Sequence, residues 1–170
     1  AYFRENRIRG LYFLENPQRV YPSGSVAAHV LGYIDRDGKG LEGIEKSMDQ
    51  ALRGSDGFRR SEKDSQGREI VAFRRQEQAP SDGHRVFLTI DLGLQERVEE
   101  LADQLWNREG AEGVTIVCLD PNTADVLALA NRPTFSPETR RGNRRNRSVS
   151  DVYEPGSTFK LIPMAAALDL

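Results

Sequence analysis

The sequence is poor in cysteine, histidine and long apolar runs, and each shortage excludes something. One cysteine among 170 residues cannot form an internal disulfide, so a small disulfide-stapled scaffold is ruled out. Cys118 lies in the strand-like stretch "GVTIVCLD" with no charged neighbour before Asp120 to favour a thiolate, and it reads as a strand thiol rather than a nucleophile. His29 and His84 have no metal-ligand spacing to each other or to Cys118 and read as structural. No run of 18 apolar residues occurs, so no spanning helix is expected. The opening "AYFRENRIRG" is charged and lacks the apolar core of a signal peptide. Two origins fit: a cytosolic protein, or an excised part of a longer exported one. A net charge of -2, from 24 basic and 26 acidic residues, gives no global pull toward nucleic acid.

What is present divides into two textures. Up to about Gln78 the chain is charged and punctuated by turns, with Pro22, Gly24 and "DRDGKG" as markers. "GIEKSMDQALRG" predicts a short helix closed by Gly54, and "GFRRSEKDSQGREIVAFRR" a hairpin turning at Ser65 to Gly67. Gly24, Gly32, Gly43 and Gly54 are expected to include positive-φ positions. "QEQAPSDGH" has linker composition, and "RVFLTI" after it reads as a strand. Asp91 can cap a helix whose apolar face holds Leu94, Val98, Leu101, Ala102 and Leu105. "GVTIVCLD" and "DVLALAN", joined by "PNTA", predict an antiparallel strand pair. A long loop, "RPTFSPETRRGNRRNRSVSDVYEPG", leads to a terminal helix from about Ser157. The expected fold is α+β: a mostly-β, elongated pedestal over residues 1–80, then an incomplete α/β domain over 81–170.

The chemistry concentrates in "EPGSTFKLIPMAAALDL". Serine is a weak nucleophile without an adjacent base. Residues i and i+3 of a helix share a face, which brings Lys160 within reach of Ser157. An apolar surround disfavours an ammonium and lets an amine act as a base. A helix start adds unpaired N–H groups that favour a developing oxyanion. Ser157 and Lys160 are therefore the candidate catalytic pair for acyl transfer without histidine. With eleven Ser and four Lys, S-x-x-K arises by chance about 0.3 times in such a chain, so the tetrad alone is weak, and a serine at a helix start is commonly only a cap. Context strengthens it: Pro155 and Gly156 permit a sharp turn, and "LIPMAAALDL" is apolar on every face, as in a buried central helix. Pro163 is out of place in a helix interior.

Beyond the tetrad, the chain resembles class B penicillin-binding proteins. "RVYPSGSVAAHVLGYID" and "GLEGIEKSMDQALRGSDG" resemble motifs of that family's N-terminal pedestal. "LTIDLGLQERVEE" and "VCLDPNTADVLALANRPTFSP" are similar to the opening of its transpeptidase domain, and "NRSVSDVYEPGSTFK" to its nucleophile segment. Glu154 before Pro155, Gly156 and Ser157 resembles the septal, cell-division subgroup more than the elongation subgroup. The resemblance implies a penicillin-binding (β-lactamase-like) serine fold and a peptidoglycan D,D-transpeptidase, membrane-anchored, working in the periplasm on the outer face of the bacterial inner membrane. Ser157 would be acylated by the stem peptide or by β-lactams, Lys160 would accept its proton, and no cofactor or metal is implied. Implied partners are division-machinery membrane proteins and the remainder of the transpeptidase domain. Alternatives are a non-catalytic interaction module of the division machinery, or a β-lactam sensor.

Departures from the family pattern are Thr123, Ala124 and Asp125 where Thr-Gly-Glu is usual, and Leu161 where many members place proline. No S-x-N or K-T-G follows residue 160, so the chain alone is expected to be inactive. The basic run holding Arg140, Arg141, Arg144, Arg145 and Arg147 reads as a solvated loop, without the aromatic interleaving of a nucleic-acid binder. Arg19, Glu42, Glu45 and Asp49 are expected to form buried pairs that fix the pedestal.

Overall fold

Turn chemistry shapes the first half of the molecule. The computed structural model describes residues 18–66, 68–73 and 76–169. Helix α1 (Ala28–Leu31) ends at Gly32 and packs on α2 (Gly43–Ser47). Gly24, Gly32, Gly43 and Gly54 all have positive φ, between 60° and 78°. At the α1–α2 crossing the need is also steric: a Cβ on Gly32 would sit 1.8 Å from the Glu42 carbonyl oxygen, and one on Gly43 would sit 2.5 Å from that of Val30. The single helix expected over "GIEKSMDQALRG" is two, α2 and α3 (Asp49–Arg53), with α3 ending at Gly54. Met48 leaves helical geometry (φ -109°, ψ 15°) between them, while the Asp49 carboxylate turns back to accept from the Gly40 N–H at 2.7 Å. That bond and the Arg53 guanidinium hold the Asp49 carboxyl below its ordinary range. Arg19 pairs with the buried Glu45 at 2.7 Å, as expected.

The hairpin forms, longer than anticipated. Strands β1 (Phe58–Arg60) and β4 (Gln76–Gln78) pair antiparallel, and β2 (Glu62–Lys63) pairs with β3 (Glu69–Ile70). Asp64 shapes the turn by accepting from the N–H groups of Gln66 and Arg68; Gly67, part of the predicted turn, lies outside the described residues. Gln76–Gln78 is thus strand rather than linker. Beyond it, Ser55 and Ser81 exchange two backbone hydrogen bonds and the His84 N–H donates to the Ala51 carbonyl, so this stretch is bound to the pedestal. "RVFLTI" forms no strand. Val86 and Leu88 instead turn toward Leu31, Ile44 and Leu52, with which they line a small cavity, and among the described residues no backbone ladder runs beside them.

The second half is built on α4 (Leu92–Glu109), β5 (Val114–Leu119) and β6 (Val126–Arg132). Asp91 caps α4 by accepting from the Leu94 N–H at 2.8 Å. Strands β5 and β6 pair antiparallel from Val114↔Arg132 to Leu119↔Val126. Asp120 shapes the connecting turn by accepting from the Asn122 and Thr123 N–H groups, which lowers its own pKa. Ala124, in the glycine-preferring place, has φ +61°. Val98 and Ala102 of α4 pack on Ala128 and Ala130 of β6, flanked by Leu94, Val114, Ile116 and Cys118. On the other face of the sheet, Val117 and Leu119 are exposed. A second core of Ala28, Tyr33 and Phe135, with Tyr21 at its edge, joins the pedestal to the loop after β6. The fold is α+β, as expected.

Candidate active site

Ser157 and Lys160 lie on a 3-10 turn, Gly156–Lys160, that runs into α6 (Leu161–Asp169). Gly156 makes the corner with φ +53°. The Thr158 N–H and hydroxyl both donate to the Pro155 carbonyl, closing the first turn. The expectation was an α-helix from Ser157. A 3-10 turn repeats every three residues, so positions i and i+3 eclipse, and Ser157 and Lys160 stand one above the other. Pro163 then falls in the first turn of α6 rather than in a helix interior.

A second expectation fails. The helix is not buried: residues 152–169 are exposed throughout, with Leu161 72% and Leu168 87% accessible. No residue of this helix is buried. Among the described residues, neither the Ser157 hydroxyl nor the Lys160 amine has a hydrogen-bond or ionic partner, and no His, Cys, Asp and Glu cluster able to hold a metal occurs. A cleft of about 400 Å³ is lined by Arg19, Tyr21, Arg36 and Arg140 among others, and by neither member of the pair.

The segment that carries the pair is tied down upstream. Helix α5 (Arg147–Ser150) begins beside β5 and β6. Arg145 reaches Asp151 at 2.7 Å and Arg147 reaches it at 3.5 Å. A Cβ on Gly113 would sit 2.6 Å from the Arg147 guanidinium, so glycine leaves room for that side chain. Arg144 hydrogen-bonds the Tyr33 hydroxyl, and Arg140 and Arg144 lie 5.9 and 5.5 Å from the centre of the Tyr33 ring. The basic run therefore holds the loop to the pedestal and to itself, rather than simply facing solvent. His29 is structural, as expected: its Nε2 donates to the Asn143 carbonyl at 3.0 Å and its ring meets Phe135 edge-on. Burial pushes its pKa down.

Sequence reasoning missed a buried polar layer between α4 and β6. Gln95 donates to the Leu129 carbonyl and accepts from the Leu129 N–H, both at 2.8 Å. Glu99 accepts from Gln95 and, at 2.7 Å, from the N–H of Ala27 in the pedestal. Arg132 reaches Glu99 at 3.4 Å and grips Asp103 through Nε and Nη2. That hydrogen-bonded pair raises the Arg132 pKa and lowers that of Asp103. Helical spacing puts Gln95 and Glu99 beside Val98 and Ala102, but their burial depends on partners distant in sequence.

Comparison with known proteins sets this arrangement in a lineage. Residues 1–88 match the penicillin-binding protein dimerisation domain, and residues 114–170 match the penicillin-binding protein transpeptidase domain. The chain is 37% identical to the peptidoglycan D,D-transpeptidase FtsI of Escherichia coli, over 98% of this chain and 29% of that protein. It is 40% identical to the penicillin-binding protein PbpB of Mycobacterium tuberculosis, over 89% of this chain and 23% of that one. Among solved structures, it resembles a peptidoglycan synthetase of Bifidobacterium adolescentis (TM-score 0.73, 31% identity, 89% of this chain and 28% of that one). It also resembles penicillin-binding protein 3 of M. tuberculosis complexed with aztreonam (TM-score 0.71, 37% identity, 85% and 30%). The chain belongs to the class B penicillin-binding protein family. It spans under a third of the length of the curated relatives it matches.

Proposed function

We propose that this chain is the nucleophile-bearing part of a peptidoglycan D,D-transpeptidase acting in septal wall synthesis, with Ser157 as nucleophile and Lys160 as its base. The observation that carries the reading is the 3-10 turn that eclipses the two side chains at the head of an apolar helix. The Ser157 Oγ attacks the carbonyl of the penultimate D-alanine of a stem peptide while the Lys160 amine takes its proton. The tetrahedral intermediate collapses, the C–N bond breaks, and the terminal D-alanine leaves as the amine with a proton returned. An amine of a second stem peptide then displaces Ser157 and forms the cross-link. A β-lactam acylates the same oxygen by opening of its ring amide. The Ser157 N–H supplies one oxyanion donor. The working division is a pedestal over residues 1–80 and the transpeptidase portion over 81–170, with the site on the extracytoplasmic face of the membrane and division-machinery proteins docking on the pedestal.

The test is made on the intact parent enzyme. A labelled penicillin is expected to be found by mass spectrometry on Ser157, and S157A to lose the label. K160A is expected to slow acylation by about 10²–10⁴-fold, as for loss of a general base. A label on another residue, or an undiminished label in S157A, refutes the assignment.

A further inference from the structure

Asn131 sits in β6 with 1% of its surface accessible. A buried carboxamide is tolerated only when its hydrogen bonds are made, and here they lead off the strand ladder. Its Oδ1 accepts from the Thr115 hydroxyl at 3.0 Å, the Ser148 hydroxyl at 3.0 Å and the Ser148 N–H at 3.2 Å. Its Nδ2 donates to the Asn146 Oδ1 at 3.0 Å, and the Asn146 amide reaches the His29 carbonyl of the pedestal at 3.5 Å. One side chain thus joins both strands of the sheet to the start of α5.

We propose that Asn131 is a positioning residue for the nucleophile: its carboxamide pins Asn146 and Ser148, and so fixes where the segment carrying Ser157 leaves the sheet. The proposal rests on the acyl-transfer reading of Ser157. The connection after β6 is long and mostly irregular, and such a segment wanders unless it is pinned. Asp151 is held by Arg145 and Arg147, and the first turn of α5 is held by Asn131. Between Asp151 and the nucleophile only residues 152–156 are free of such ties. Wherever α6 docks in the whole enzyme, the hydroxyl arrives on a short tether from a fixed point. A shift of about 1 Å in a reacting group costs on the order of 10²-fold in rate.

The experiment uses the intact parent enzyme and two variants, N131A and S148A, the second removing one hydroxyl at a half-buried site. Acylation by a fluorescent penicillin is followed by stopped flow and resolved into pre-acylation binding and limiting acylation rate, per folded molecule. Amide hydrogen exchange is measured over residues 146–157 and over α4. N131A is expected to lower the limiting rate about 10–100-fold with binding little changed, and S148A to lower it in the same direction by less. Exchange is expected to quicken at 146–157 and not in α4. A purely structural role would lower the melting temperature and leave the limiting rate per folded molecule at the parental value; that result overturns the proposal. If N131A does not fold, S148A decides by the same criterion. A parent enzyme that takes no label overturns the acyl-transfer reading and the positioning claim with it. A labelled parent beside an equally fast S148A and N131A overturns the positioning claim alone.

Discussion

Ala124 occupies a left-handed conformation that costs an L-residue roughly 1–2 kcal/mol. The turn around it is held by Asp120, so the backbone does not relax out of that region. Ala124→Gly removes the Cβ penalty and adds back unfolded-state freedom worth about 0.5–1 kcal/mol. The expected net is a stabilisation of up to about 1 kcal/mol, read as a higher denaturant midpoint at unchanged slope. His29 gives a pH signature. Burial lowers its folded pKa, so the unfolded chain binds the proton more readily, and stability is full above histidine's ordinary value of about 6.5 and falls as pH drops below it. Glu99 and Glu42 oppose the shift, and Arg132 adds to it. Melting temperature is expected to decline from pH 7 toward pH 5. H29Q, which keeps a donor for the Asn143 carbonyl, is expected to flatten that decline. The carboxylates lowered by hydrogen bonds, Asp103, Asp49 and Asp120, act in a separate and more acidic window, losing their contribution as pH falls through and below about 4.

At the scale of elements, α4 and β6 are joined by apolar packing and by the Gln95–Glu99–Arg132 layer. Glu99→Ala leaves the Ala27 N–H and one Gln95 donor buried without acceptors, and weakens the hold on Arg132. The expected loss is about 3 kcal/mol, with Glu99→Gln losing less because it keeps one acceptor; equilibrium urea unfolding measures both. This layer also marks where sequence reading stopped. Periodicity placed α4, β5 and β6, and Asp91 was visible as a cap, because burial of apolar faces and first-turn capping are local signals. Of the apolar face Leu94, Val98, Leu101, Ala102 and Leu105, Val98 and Ala102 are core and Leu94 packs on it, but the buried stripe continues through Gln95 and Glu99 rather than through Leu101, which is 39% accessible. A glutamine or glutamate reads as solvent-facing until its partners are known, and those partners, Leu129, Ala27 and Arg132, are distant in sequence. The same reason hid the ties made by the arginine run. "RVFLTI" has the composition of a strand, but a strand exists only with a neighbour to pair with. Ser157 and Lys160 stand out as candidates by their spacing and by the motifs around them, whereas the 3-10 form of their turn has no local sequence signal.

For the whole molecule, the decisive fact is that the candidate pair stands in the open. Acyl transfer needs a walled pocket and a complete oxyanion hole as well as a nucleophile and base, and no wall surrounds Ser157 among the described residues. The 170-residue chain by itself is expected to react with fluorescent penicillin far more slowly than the intact parent, with labelling restored by a separately produced C-terminal part of the parent. Labelling by the chain alone at the parental rate refutes this. The exposed Leu161, Ile162, Met164 and Leu168 form an apolar surface of the kind that self-associates, so the chain is also expected to bind a hydrophobic dye.

The pairing of Gln95 with Leu129 gives the sheet a direction of growth. Gln95 presents to β6 the carbonyl and N–H that a neighbouring strand would, while the Asp91 N–H takes the Leu127 carbonyl and the Thr89 hydroxyl takes that of Val126. That border is sealed by helix and loop, in the way proteins blunt an edge against unwanted pairing. Along β5 no such stopper stands among the described residues. Any further strand that joins this sheet has one berth, alongside Val114–Leu119, so the sheet already dictates the side on which such a strand would be laid down.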